Sequence, residues 1–138
     1  MKDPVLIRER QIIKEQGLIE AVKYLSSEAK KHPQFSELFF KYFFRSMECA
    51  INVPELHNQV EEALLSFIEY YEKKKEYPEE YKKLCDLLFK YAIAINDGDK
   101  AQCAASRLTY MLPNRSDCLL IYKDIIEKSQ IACLYMNI

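Results

Sequence analysis

Apolar residues recur every three or four positions along most of this chain, the spacing of one face of an α-helix. No run alternates apolar and polar residues as a half-buried strand would, and Asp97-Gly98 leads into helix formers rather than into a second strand. Punctuation is sparse: two glycines, Gly17 and Gly98, and five prolines at positions 4, 33, 54, 78 and 113. Glycine ends helices by taking up a left-handed conformation, and proline fits a first helical turn but disrupts an interior. These marks delimit six or seven helices. The first is predicted to start from Asp3 as N-cap with Pro4 in its first turn, and to carry Leu6, Ile7, Ile12 and Ile13 toward Gly17. The second presents Leu18, Val22, Leu25 and Ala29 and stops before Pro33; the third is ring-rich and ends near Asn52. Asn52 and Glu55 have capping-box spacing for a fourth helix with Leu56, Val60, Ala63, Leu64, Phe67 and Tyr71 on its stripe. Pro78, Glu79 and Glu80 form a first turn for the fifth, whose stripe is Tyr81, Leu84, Leu88, Tyr91, Ala92 and Ile95, up to a stop at Asn96, Asp97 and Gly98. With Asp99 as N-cap, the next helix has a small face of Ala101, Ala104, Ala105 and Leu108 that permits close approach of a neighbour. A last helix after Pro113 runs through Leu119, Ile121, Ile125, Ile126, Ala132 and Leu134. The expected fold is all-α: a single compact domain over residues 1–138, either a helical bundle or stacked helical hairpins.

The stretch FSELFFKYFF, residues 35–44, sets five phenylalanines and a tyrosine into ten positions. A membrane span needs about 20 mainly apolar residues, but Glu37, Lys41, Arg45 and Glu48 recur here every turn. Membrane insertion is therefore excluded, and these charged residues are expected to form the solvated side of the helix. Phe35, Leu38, Phe39, Phe40, Tyr42, Phe43, Phe44 and Met47 cover most of the remaining circumference, so the helix is expected to lie at the centre of the fold.

At 138 residues the chain has the length of one domain. Its 20 basic and 21 acidic side chains leave a net charge of -1, too little to gather nucleic acid or an anionic surface. Lys73, Lys74 and Lys75 could touch phosphates, but Glu72, Glu76, Glu79 and Glu80 surround them, so no nucleic-acid binding is expected. No secretory leader is expected, because Arg8, Glu9 and Arg10 interrupt what would be its apolar region. The five cysteines, Cys49, Cys85, Cys103, Cys118 and Cys133, include no CxxC pair and read as small core residues of a reducing compartment, cytoplasmic or nuclear.

Patterns that carry chemistry are few. The two histidines, His32 at a helix end and His57 one turn before Glu61, lack the spacing of di-iron or zinc-protease sites; an exposed His57–Glu61 ion pair is expected instead. INDGDKAQ fails as a calcium loop, since with Gly98 in sixth place the first, third and twelfth positions are Ile93, Ile95 and Ala104. Two isolated glycines build no phosphate loop, and no nucleophile has a local base. The expectation is a non-enzyme with no cofactor and no metal site.

Two segments, GLIEAVKYLSSEAKKHP and GDKAQCAASRLTYMLP, each place an alanine soon after glycine (Ala21, Ala101) and a proline twelve residues later (Pro33, Pro113). This echo resembles the second helix of a tetratricopeptide-type hairpin. It covers about a quarter of the chain, without the first-helix pattern and without a copy in between, so no family is assigned. The resemblance implies helical hairpins that bind other chains. The leading expectation is a protein–protein interaction module, an adaptor or a subunit of a larger assembly, with a protein partner held by Tyr70 and Tyr77 in YYEKKKEYPEEYKK, where Tyr71 and Tyr81 go to the core. An alternative is a bundle holding an apolar small molecule or lipid in a pocket lined by Phe39 and Phe43. A third is a homo-oligomer joined through Ile131, Ala132, Leu134, Tyr135, Met136 and Ile138.

Overall fold

A computed structural model of the chain describes residues 3–110, 120, 123–125 and 127. Among these the elements are six α-helices and one 3₁₀ turn, so the fold class is all-α. The last expected helix, its apolar end, Pro113, Cys118 and Cys133 lie outside the described residues, apart from a few isolated positions. By packing, the chain divides into two compact units, Met1–Val60 and Glu61–Ile138.

In the first unit, α1 (Pro4–Gln16) starts where the sequence places it, with the Asp3 side chain accepting the Val5 N–H at 2.8 Å. Gly17, at φ 96°, ends α1 by donating its N–H to the Ile12 and Ile13 carbonyls and turns directly into α2 (Leu18–Lys30). Such a φ is open to glycine at no steric cost. Ala21, Leu25 and Ala29 are buried along α2, which packs against α1 and α3 (Glu37–Ala50). Ser36 caps α3 by accepting the Phe39 N–H at 3.2 Å.

Eight residues of α3 are buried, among them Phe39, Phe40, Tyr42, Phe44 and Met47, which makes it the most buried helix of this unit. Phe40 is its central ring, within 6.2 Å, centroid to centroid, of Phe35, Phe39, Phe43 and Phe44. Two expectations for this helix need correction. Phe35 and Leu38 are 36% and 45% exposed, and Phe43 is only half-buried, so the apolar arc is not fully covered. The charged stripe is not simply solvated, because α1 is tied to it. Lys41 Nζ lies 2.7 Å and the Tyr42 hydroxyl 2.9 Å from Asp3, and Arg45 donates to Glu9 at 2.6 Å.

The turn before α3 holds backbone strain. Ser36 donates its N–H to the Pro33 carbonyl at 3.0 Å, and Phe35 sits in this turn at φ 70°, a region costly for a residue with a Cβ. Replacing Phe35 by glycine or by alanine removes the ring equally, so the difference between them isolates the backbone. The glycine variant is expected to be the more stable by about 1 kcal/mol in urea unfolding, the reverse of their usual order. Equal stability, or the usual order, would show that the backbone is not strained here.

Asn52 does not open the fourth helix. Its side-chain amide donates to the Glu48 carbonyl at the end of α3, and the chain passes through a 3₁₀ turn, Pro54–Leu56, into α4 (His57–Lys74). His57 Nε2 lies 2.9 Å from the Ile51 carbonyl, whereas Glu61 takes Lys100 as its partner, so the expected His57–Glu61 pair is replaced by these two contacts.

In the second unit, α5 (Glu79–Ala94) packs on α6 (Gly98–Tyr110). The small face of α6 behaves as its sequence requires: Ala101, Ala104, Ala105 and Leu108 are all buried. α5 stops within the expected stretch Asn96, Asp97 and Gly98, and its left-handed residue is Asn96, at φ 61°; Asp97 and Asn96 donate their N–H groups back to Ala92 and Ile93. Asp97, rather than Asp99, caps α6, accepting the Lys100 N–H at 3.0 Å. Glu72 on α4 receives the Tyr81 hydroxyl at 2.8 Å and Arg107 Nε at 3.2 Å, which joins α4, α5 and α6.

Candidate functional site: the tyrosine corner

The four tyrosines of residues 70–81 come together where α4 ends and α5 begins. Helix α4 stops because Lys75 adopts φ 58°, with the Glu76 N–H returning to the Tyr71 carbonyl and the Lys75 N–H to the Glu72 carbonyl, both at 3.1 Å. That paired closure turns the chain sharply, and Pro78 then precedes α5 in an extended conformation. Tyr71 and Tyr81 are buried as expected and meet edge to face at 6.5 Å.

On this buried pair sit the two outer rings. Tyr70 is half-buried and edge-on to Tyr71 at 5.6 Å, and Lys74 Nζ lies 4.6 Å above its centroid. Tyr77 is 37% exposed, with its ring edge-on to Tyr81 at 5.1 Å. Each outer ring is thus oriented by an inner one, the edge-to-face geometry that the aromatic quadrupole favours.

The electrostatics beneath are those of a closed network. Burial raises the Tyr81 phenol well above its usual range, and its hydroxyl donates to the Glu72 carboxylate. Burial also pushes the neighbouring Cys85 thiol up to about 11, so it stays protonated at neutral pH. The inner residues fix geometry and offer no nucleophile. The outer ones offer two ring surfaces and phenol groups amid the charges of Lys73, Lys75, Glu76 and Glu79, all of them exposed. No group of three His, Cys, Asp or Glu side chains among the described residues is placed to hold a metal ion.

Phe39 and Phe43, expected to line an apolar pocket, stack on each other at 5.7 Å with their planes 12° apart. Of the cysteines, Cys49 and Cys85 are buried but Cys103 is exposed, which corrects its assignment to the core. No described helix is long and apolar enough to cross a membrane.

The residue least visible in the sequence is Glu9, only 1% exposed. It accepts Arg45 Nε at 2.6 Å and the Cys49 thiol at 3.6 Å. Burial, and then the Glu9 carboxylate, push the Cys49 thiol up to about 11. The signal was spacing: Val5, Glu9 and Ile12 fall on one face of α1, and a carboxylate inside an apolar stripe calls for a buried cation partner. Comparison with protein-family models, curated proteins and solved structures gives no match.

Proposed function

We propose that this chain is a non-enzymatic protein-interaction module, an adaptor or assembly subunit of a reducing compartment, that engages a protein partner through Tyr70 and Tyr77. The observation that carries this reading is the pairing of each outer ring with a buried one. Tyr77 is partly exposed and braced by Tyr81, and half-buried Tyr70 is braced by Tyr71. A braced ring loses little side-chain freedom on binding, and tyrosine is among the residues on which binding energy concentrates. The mixed charges around the pair suit a polar rim better than a nucleic-acid surface.

The test uses the full chain as bait to recover a stoichiometric protein partner, followed by direct titration of that partner. Tyr70→Ala with Tyr77→Ala is expected to weaken binding by about thirtyfold, the effect of losing about 2 kcal/mol. The variant should keep its helical circular dichroism, with a modest fall in the urea midpoint for the lost edge contacts to Tyr71 and Tyr81. Unchanged affinity, or unfolding of the variant, would remove these residues from the interface.

A further inference from the structure

The first unit carries a groove of about 470 Å³ along α2, and none of its lining residues is acidic. Its apolar lining is Ile19, Val22 and Leu56, with Ile19 left 40% exposed. Ser26, also in the lining, is fixed to α3 by a 3.0 Å hydroxyl–hydroxyl bond to Ser46. Lys23 and Lys30 supply two exposed ammonium groups. They are seven residues apart, so two turns and about 10.5 Å separate them along one helix face. Lys23 pairs at 3.3 Å with Glu20 at the surface, a contact of small worth, and Lys30 has no ion-pair partner among the described residues.

The same chain contains the complementary pattern. On α4, Glu62 and Glu69 are both exposed, are also seven residues apart, and have no ion-pair partner among the described residues. Half-buried Leu65 lies between them on that face, at three and four residues' distance. We infer that the α2 groove binds α4 of a second copy of this chain, Glu62 and Glu69 meeting Lys23 and Lys30 while Leu65 packs on the apolar lining of Ile19, Val22 and Leu56.

Equal spacing is what gives the contact specificity. Two carboxylates at the lysines' own separation meet both ammonium groups with both helices side by side, and charge pairs of this kind set partner choice and register more than raw affinity. The contact joins two different surfaces of the chain and is expected to be weak and salt-sensitive. It requires no other protein, so it stands or falls separately from the tyrosine corner.

Charge exchange tests it. Sedimentation of the full chain at low salt should show mass above the monomer as concentration rises, and added salt should reverse this. Lys23→Glu with Lys30→Glu in one variant, and Glu62→Lys with Glu69→Lys in another, should each weaken self-association by about tenfold or more, because like charges then face each other. An equimolar mixture of the two variants should recover it. Should either reversed variant lose its helical circular dichroism, the glutamine versions of the same four positions replace them, with weakening expected in both. A wild-type chain that stays monomeric at every concentration would overturn the inference. So would self-association that the substitutions leave untouched, or a mixture of folded charge-reversed variants that fails to recover.

Discussion

Replacing Phe40 by alanine is expected to cost about 3–5 kcal/mol of stability, the range for removing a buried ring from a core that cannot collapse around the gap. Phe40 is almost wholly buried, and four phenylalanine rings surround it at 5.1 to 6.2 Å. Its loss strips each of those rings of a partner as well as leaving a void. A body of 60 residues has a stability of about 3–9 kcal/mol at ordinary values per residue, so the substitution threatens the first unit as a whole. Urea unfolding followed by circular dichroism measures it. Phe40→Leu, which keeps most of the volume, should lose much less. A loss below about 1 kcal/mol for Phe40→Ala would show that the neighbouring rings close over the space, and that α3 is not the centre of its unit.

Arg45→Met is expected to be nearly as damaging, for an electrostatic reason. Glu9 is buried while Arg45 is half-exposed, so removal of the arginine strands a carboxylate away from water without its cation. Breaking a fully buried pair from one side typically costs about 3–5 kcal/mol, and with Arg45 half-exposed the cost here is expected at the lower end, about 3 kcal/mol, whereas replacing both members by apolar residues of similar volume is often neutral. The diagnostic result is therefore a strong non-additivity. Arg45→Met alone should be severely destabilised, and Glu9→Leu combined with Arg45→Met should recover most of the loss. Additive effects in the same urea titrations would mean that Glu9 and Arg45 contribute independently, and that α1 is held to α3 by Asp3, Lys41 and Tyr42 instead.

The helices themselves were legible in the sequence because their signals are local. Asp3-Pro4 and Gly17 frame α1, and the alanine face of α6 identifies its packing side, all within a few residues of the element concerned. Helix ends misled where several residues were competent for one role. Asn52 has an N-cap's chemistry but serves the end of α3, and Asp97 displaces Asp99 as the cap of α6. Lys75 takes a left-handed position that side-chain chemistry does not favour, and the paired closure onto Tyr71 and Glu72 holds the backbone there.

The division of the tyrosines followed from helical spacing alone: Tyr71 and Tyr81 lie on apolar stripes, and Tyr70 and Tyr77 do not. Their edge-to-face bracing did not, since it depends on how α4 meets α5 in space. Glu9 and Arg45 are 36 residues apart; spacing marks Glu9 as a carboxylate on an apolar face, but Arg45 reads as part of a solvated stripe, and only the packing of α1 on α3 pairs them.

Cys49 and Cys85 fall one in each unit, and both are shielded and kept protonated. An alkylating reagent can reach either only when its own surroundings open. The chain thus contains two internal clocks, and mapping by mass which of the two is tagged first would time the loosening of its two halves without any engineered probe.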